Sequence, residues 1–479
     1  MTLFGTAGIR GPVSTEVTPA LALSVGQAVG RTLDGTGESE GRSDSPTVVL
    51  GYDGRETSES LAAAMAAGLA SGGAAVRRIG RVPTPALAYA SRGRFGVMIT
   101  ASHNPPADNG IKLFDDGVEF DRDAEREIEG AVETAETANW DRWGTIERAE
   151  VLATYRDAVC AYVRDRFGGH GRRDTQADRV DTQPLAGLSI AVDCGSGVGG
   201  DVTPQVLDRL GADVTALNAN VDGHFPARES KPTPETLSDL RAFLADGDVA
   251  LGLAHDGDAD RLVVCGPDGD VVHEDTILAV VAAHYVEASS AGDPVVVTTP
   301  NASARIDELV DAAGGRVERV HLGALHEGIA RVRAAADPGA DTTVVFAAEP
   351  WKHIHPSFGG WIDGVASAAV VAALVAAAGD VATLRQPVTE RPYRKVSVPC
   401  PDDAKANVMA RLESSLPDAF PEGALDTDYG IRLAFPDASW LLVRPSGTEP
   451  YVRLYAESED VDALVDEART VIEAAVDAA

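Results

Sequence analysis

The chain has 479 residues, a length that predicts roughly three or four domains rather than one core. Its 41 basic residues stand against 74 acidic ones, a formal net charge of −33. That balance excludes a nucleic-acid-backbone binder, which needs basic patches, and a protein that docks on anionic membranes.

The acidity is spread along the chain, so it is not an acidic tail. In dilute buffer such a surface repels itself, whereas at molar salt the Debye length is about 3 Å and the repulsion is screened. The expectation is a cytoplasmic protein of a high-salt, halophilic cell, with an ordinary acidic enzyme as the alternative. Only five of the basic residues are lysines: Lys112, Lys231, Lys352, Lys395 and Lys405. The cysteines, Cys160, Cys194, Cys265 and Cys400, are far apart and form no C-x-x-C pair. Reduced, buried thiols are therefore expected rather than disulfides or a zinc site. Met1-Thr2-Leu3-Phe4-Gly5 has neither the charged nor the apolar segment of a signal peptide. The longest apolar run, residues 365–378, is shorter than a membrane span and reads as a buried helix.

In chain order, Phe4-Gly5-Thr6-Ala7-Gly8-Ile9-Arg10-Gly11 sets three glycines around one arginine, a pattern shared by many loops. Residues 35–46 are Gly/Ser/Glu-rich and read as a surface insertion. Val48-Val49-Leu50-Gly51-Tyr52-Asp53 then reads as a strand, residues 60–71 as a helix, Gly72-Gly73 as its stop and Ala75-Val76 as a second strand. The order recurs from Leu188 to Asp193 with a helix at 204–210, and again from Val295 to Thr298 with a helix at 303–313. Each of these helices also stops at glycine, Gly211 and Gly314-Gly315, before a further strand. A Gly-capped helix returning to a strand is the β-α-β signature, so three related α/β domains with mixed sheets are predicted. Residues 168–183 read as another insertion. After residue 386 the alternation of Lys395-Val396-Ser397-Val398, a helix near 404–415, strands at 433–435, 440–444 and 451–456 and a helix at 461–478 predict a small α+β domain. The predicted domains are 1–150, 151–275, 276–385 and 386–479.

Four stretches carry candidate chemistry, three of them suited to phosphate or its metal and one to a sugar. Gly96-Val97-Met98-Ile99 reads as a buried strand that opens into Thr100-Ala101-Ser102-His103-Asn104-Pro105, with Asn109-Gly110-Ile111-Lys112 close behind. A serine at a strand end near His103 and Lys112 suits a covalent nucleophile or a phosphate carrier, although a plain Ser/Asn/Pro turn has the same composition. His255-Asp256-Gly257-Asp258-Ala259-Asp260-Arg261 puts three carboxylates at alternate positions after an apolar run. They repel unless a cation joins them, and Mg²⁺ accepts a few carboxylates plus a phosphate oxygen. A calcium EF-hand is excluded, since Arg261 stands where that loop needs Gly and Pro267 where it needs Glu. An aspartyl-phosphate phosphatase, which also begins Asp-x-Asp, stays open here, as does a solvated acidic turn. Glu349, Lys352 and His353 follow the strand Val344-Val345-Phe346-Ala347-Ala348 and suit sugar hydroxyls, with Trp351 as a wall; an exposed loop with one packing Trp would look alike. Arg444-Pro445-Ser446-Gly447-Thr448-Glu449-Pro450 offers a guanidinium, two hydroxyls and turn N–H groups to an anion, or is a simple β-turn.

With Phe4–Gly11 these stretches stand in one order, and in that order the chain resembles the α-D-phosphohexomutase family. That family includes phosphoglucomutases, phosphomannomutases and phosphoglucosamine mutases. The N-terminal half is most similar to the archaeal phosphoglucosamine mutase/phosphomannomutase branch. The resemblance implies four domains around a central cleft, each giving one loop. It implies reversible exchange of hexose 1-phosphate and 6-phosphate through an enzyme phosphoserine and a 1,6-bisphosphate, which also serves as activator. On that pattern Ser102 is the phosphoserine and, with Asp256, Asp258 and Asp260, holds one Mg²⁺. His103 and Lys112 assist proton transfer, and Arg10 and Arg261 bind the phosphoryl centre. Glu349, with Lys352 and His353 in its loop, binds the sugar, and Arg444, Ser446, Gly447 and Thr448 hold the phosphate that is not reacting. A phosphorylated sugar is the implied partner, with no nucleic acid and no membrane, in a monomer or homodimer. One loop departs from the pattern. The family usually reads Gly-Glu-x-Ser-Gly-His, and this chain has Ala348-Glu349-Pro350-Trp351-Lys352-His353. The choice among glucosamine, mannose and glucose therefore stays open. A sugar-phosphate phosphatase, in which water takes the phosphoryl group from Ser102 or Asp256, leaves the Arg444 loop unused. A catalytically silent sugar-phosphate-binding protein has only the altered Trp351-Lys352 pair in its favour.

Overall fold

The computed structural model describes residues 3–5, 8–35, 46–168, 182–337, 339–446 and 449–479. The insertions expected at 35–46 and 168–183 lie almost wholly outside the described residues, as do Thr6, Ala7, Gly447 and Thr448. The chain folds as two compact units, Met1–Glu274 with Trp351–Leu384, and Asp275–Pro350 with Arg385–Ala479.

The first unit contains two sheets. One is seven-stranded, ordered Ile9–Pro12, Asp108–Asp115, Phe95–Ile99, Thr47–Tyr52, Ala75–Arg81 and Ile146–Arg148, with Val118–Glu119 paired to Asp108–Asp115. Its middle strands are parallel, and the two strands that precede and follow the Ser102 loop, Phe95–Ile99 and Asp108–Asp115, are antiparallel. The Val48 and Leu50 side chains, with Val97, Ile99 and Ile111, join Leu61, Met65 and Leu69 of the Ser58–Ser71 helix in a buried core. The helix stops at Gly72 as predicted, and Gly73 follows with a φ of 106°. The second sheet runs Val263–Cys265, Leu251–Ala254, Ser189–Asp193, Asp213–Leu217. The turn from Leu251–Ala254 to Val263–Cys265 carries Asp256, Asp258 and Asp260, because those two strands pair antiparallel and must reverse there. The apolar run expected as a buried helix is one, Gly364–Ala378, capped by Asp363, whose carboxylate accepts the Ala366 N–H.

In the second unit the Asp293–Thr298 strand pairs in parallel with Arg316–Arg319 and Thr342–Glu349. The C-terminal part is a five-stranded antiparallel sheet, ordered Tyr393–Pro399, Tyr451–Glu457, Trp440–Pro445, Ile431–Ala434, Ala424–Asp426, backed by the helices Lys405–Ala419 and Val461–Asp477. Three mixed α/β sheets and a C-terminal α+β sheet are thus the architecture expected. Residues Trp351–Leu384, assigned from sequence to the third domain, fold with the first unit. All four cysteines are buried and free. Among the described residues no helix is long and apolar enough to cross a membrane.

Candidate active site

The candidate site in the first unit is built around Ser102. Its backbone is left-handed, φ 51°, and the residue is 1 % exposed. A non-glycine residue in that region is strained and persists only where its surroundings over-determine it. Here they do. The Thr100 hydroxyl accepts the Ser102 N–H at 2.9 Å, and the buried Arg55 guanidinium donates to the Ser102 carbonyl at 2.9 Å. The same guanidinium donates to the carbonyls of Asn104, Pro105 and Asp108 at 2.7, 2.6 and 3.0 Å and pairs with Asp53 at 3.2 Å.

Ser102 Oγ donates to Asp256 Oδ2 at 2.7 Å, across 154 residues of sequence. Asp256, Asp258 and Asp260 are all buried and offer carboxylate oxygens within 4.8 Å of one another. Their fit to a hard divalent cation is visible in what is left over. Asp258 Oδ1 and Asp260 Oδ1 are buried without a hydrogen-bond donor, a costly arrangement for an anion unless a cation takes them. Asp258 Oδ2 accepts from Thr84 at 2.7 Å, and the Thr100 hydroxyl lies 3.2 Å from it and 2.7 Å from Asp53. Burial, with Asp260 and Asp258 alongside, pushes Asp256 up to about 8. Burial and Asp260 raise Asp258 as well. Burial also opposes the charge on Asp260, but Lys112, then Lys352, Arg261 and Arg10, hold its carboxyl below the ordinary value.

The cations are arranged around these carboxylates. Lys112 Nζ donates to Glu119 at 2.8 Å and Asp260 at 3.2 Å. Burial disfavours the Lys112 ammonium, yet Glu119, Asp260 and Asp258 outweigh it and keep it charged. Arg261 Nε lies 3.6 Å from Asp256 and 4.0 Å from Asp260. Arg10 sits on the strand Ile9–Pro12 opposite Gly110, its Nε buried without an acceptor. His103 Nδ1 is 3.3 Å from Ser102 Oγ. Burial, Arg261 and Arg10 push that imidazole down to about 2. His353 is buried in the same unit and is lowered to about 4 by burial alone. Lys352 opens the strand Lys352–Ile354 and bridges Arg261.

The second unit carries the remaining predicted residues. The Gly323 N–H donates to the Glu349 carboxylate at 3.1 Å. The Arg444 guanidinium donates to the Tyr455 hydroxyl at 3.0 Å, and its Nε is buried without an acceptor. Lys405 clamps the following turn, donating to the Ser446 and Glu449 carbonyls at 2.6 Å each. Gly447 and Thr448 lie outside the described residues. Within the first unit, therefore, Ser102, His103, Lys112, Arg10, Arg261, Lys352 and the three aspartates belong to one neighbourhood. Sequence reasoning missed Asp53, Arg55, Thr84 and Glu119. Asp53-Gly54-Arg55, a polar triplet right after a strand, was the available signal for the first two; Thr84 and Glu119 give none.

A buried serine hydroxyl against a carboxylate cluster fit for a divalent cation, ringed by cations, is equipped to carry a phosphoryl group. Comparison with known proteins agrees. Residues 1–139 match phosphoglucomutase/phosphomannomutase α/β/α domain I, residues 173–269 match α/β/α domain II, and residues 396–474 match the C-terminal domain. The chain is 39 % identical over 467 residues to a phosphopentomutase of Thermococcus kodakarensis, covering 96 % of this chain and 94 % of that one. It is also 39 % identical over 465 residues to a probable phosphoglucosamine mutase of Methanopyrus kandleri, covering 95 % and 94 %. A phosphoglucomutase/phosphomannomutase family protein of Burkholderia thailandensis shares the fold, with a TM-score of 0.82 at 24 % identity over 99 % of this chain and 97 % of that one. The chain belongs to the α-D-phosphohexomutase family, the isomerases that act as intramolecular phosphotransferases.

Proposed function

We propose that the protein interconverts a hexose 6-phosphate and 1-phosphate, glucosamine phosphate foremost and mannose or glucose phosphate next, through phosphorylated Ser102 and a sugar 1,6-bisphosphate. The observation that carries this reading is the Ser102 hydroxyl at 2.7 Å from Asp256, inside a cluster whose Asp258 and Asp260 each keep a buried oxygen without a donor. In the proposed cycle phospho-Ser102 gives its phosphoryl group to the free hydroxyl of the sugar phosphate. The bisphosphate turns over, and its other phosphoryl group returns to Ser102.

Asp256, Asp258 and Asp260, with the Ser102 phosphate, are the residues proposed to hold Mg²⁺. Bound there, the ion neutralises charge on the phosphoryl oxygens. The chain's own groups do the rest. Arg10 and Arg261 orient the phosphoryl group. Lys112, paired with Glu119 and Asp260, assists proton transfer at the same centre. His103, 3.3 Å from Ser102 Oγ, is placed to help pass the proton that the sugar hydroxyl loses to the Ser102 oxygen as the phosphoryl group leaves. Glu349 takes sugar hydroxyls, with His353 in its loop, and Arg444, Ser446, Gly447 and Thr448 take the distal phosphate. The name of the 39 % identical Thermococcus relative favours a second substrate reading, a pentose 5-phosphate converted to the 1-phosphate by the same chemistry.

Phosphorus NMR tests this. The protein in molar KCl with Mg²⁺ and a trace of bisphosphate is given glucosamine, mannose, glucose and ribose phosphates in turn. A sugar 1-phosphate signal is expected, fastest from glucosamine 6-phosphate and lost in Ser102→Ala. Fastest turnover of ribose 5-phosphate selects the second reading. Free phosphate alone would replace the mutase with a phosphatase, and no change with any sugar would leave a silent binder.

A further inference from the structure

The Trp351-Lys352 pair is where this chain leaves the family pattern, and Lys352 stands where that pattern has glycine. Trp351 is left-handed, φ 71°. A bulky residue in that conformation is an outlier, and such residues cluster at functional sites where packing holds them. Two contacts hold this one. Trp351 packs against a buried cluster that includes Leu237, Leu244 and Val263, and its carbonyl accepts the Leu262 N–H at 3.0 Å. The strained residue thereby fixes the register of the next one, and Lys352 is set opposite Arg261 in an antiparallel bridge.

Residues directly opposite in such a bridge project from the same face, with Cβ atoms about 5 Å apart. Arg261 projects from that face toward Asp256 and Asp260, at 3.6 and 4.0 Å. Lys352 starts from the same face. Lysine is scarce in this chain, yet two of its five, Lys112 and Lys352, belong to this one neighbourhood.

We propose that Lys352 is a further catalytic residue, whose ammonium binds a non-bridging oxygen of the phosphoryl group passing between Ser102 and the sugar. The inference rests on the mutase reading above. Lys352 forms no covalent bond and keeps its proton; the bond from phosphorus to Ser102 Oγ breaks as the bond to the sugar oxygen forms, the sugar hydroxyl's proton passes to the Ser102 oxygen, and the return transfer runs in the opposite sense. A phosphoryl group in flight carries charge over its outer oxygens and is stabilised mainly by fixed cations. A lysine supplies a point charge to such an oxygen without the bidentate geometry that arginine imposes. The position that is glycine in the family pattern thus becomes a charged wall of the reacting centre.

Two measurements test it, each on Lys352→Met and Lys352→Arg in the full-length protein in molar KCl. Phosphorus NMR turnover is expected to fall about 10²-fold in kcat for Lys352→Met, with KM changing less, as for loss of one fixed transition-state contact. Lys352→Arg recovers at least about a tenth of the wild-type rate. Calorimetric titration of glucose 1,6-bisphosphate into the Ser102→Ala protein, with and without Lys352→Met, is expected to show about tenfold weaker binding without the ammonium. Equal melting temperatures separate this from a folding defect. Turnover and bisphosphate affinity within twofold of the parent protein would overturn the inference and leave the mutase reading intact. If the wild-type protein converts no sugar phosphate, the mutase reading fails, and unchanged bisphosphate affinity in Lys352→Met would overturn the anion contact as well.

Discussion

Four carbonyls of one loop, those of Ser102, Asn104, Pro105 and Asp108, converge on the Arg55 guanidinium, which is itself anchored by Asp53. A buried carbonyl without a donor costs about 1–3 kcal/mol, so the loop's shape depends on this side chain. Arg55→Lys keeps a charge for Asp53 but cannot span four acceptors. It is expected to fold, to lose about 2–4 kcal/mol of stability, and to turn over about 10–10²-fold slower because Ser102 relaxes from its left-handed backbone. Thermal melts and phosphorus NMR turnover check both numbers; wild-type turnover in the variant would mean that the loop sets its own conformation. This residue also marks the limit of what could be read from the chain. Ser102, Asp256, Asp258 and Asp260 stood out in the sequence because a hydroxyl beside an imidazole, and three carboxylates at alternate positions, each follow an apolar strand. Arg55 did not, because Asp53-Gly54-Arg55 shows only a polar triplet after a strand and not that its arginine binds backbone.

The Ser102 loop and the aspartate loop meet backbone to backbone. Gly257 lies where a Cβ would come within 2.7 Å of the Ser102 carbonyl, closer than real Cβ atoms approach. Gly257→Ala must therefore push two loops apart, because the obstacle is backbone rather than a flexible side-chain end. The Ser102–Asp256 hydrogen bond of 2.7 Å is the first thing lost. The three carboxylates share one turn and move together. Turnover is accordingly expected to drop about 10²-fold or more, while calorimetric Mg²⁺ affinity changes less than about tenfold. Equal losses in both would show that the aspartate turn itself had unravelled. At this scale the β-α-β copies were legible from period and glycine stops, and Ser58–Ser71, Ser189–Asp193 and Val461–Asp477 fall within two residues of their expected bounds. The sheet order, with the antiparallel Asp108–Asp115 strand beside Phe95–Ile99, was not legible. Pairing between strands is decided by long-range packing, which local pattern does not encode.

Across the whole molecule two electrostatic effects oppose each other, and their size decides the response to salt. Arginine–carboxylate pairs such as Arg394–Asp462 and Arg469–Glu473 are largely exposed. Each is worth about 0–1 kcal/mol and is screened away as salt rises, a small loss. Buried pairs such as Arg305–Glu457, at 3.0 Å and almost fully shielded, are hardly screened at all. Against these stands a net charge of −33, whose repulsion acts between all acidic residues at once and shrinks as the Debye length falls from about 10 Å at 0.1 M to about 3 Å at 1 M. The collective term is the larger, so the melting temperature is expected to climb steadily between about 0.1 M and 1 M KCl. MgCl₂ titrated at constant ionic strength should add a further, saturating rise, because it joins three buried carboxylates instead of screening a surface. A Ser102→Ala variant should keep the KCl response unchanged, and an Asp258→Asn variant should lose most of the MgCl₂ response while keeping the KCl one. A melting temperature that stays flat or falls with KCl would mean that the exposed ion pairs, not the net charge, govern the fold.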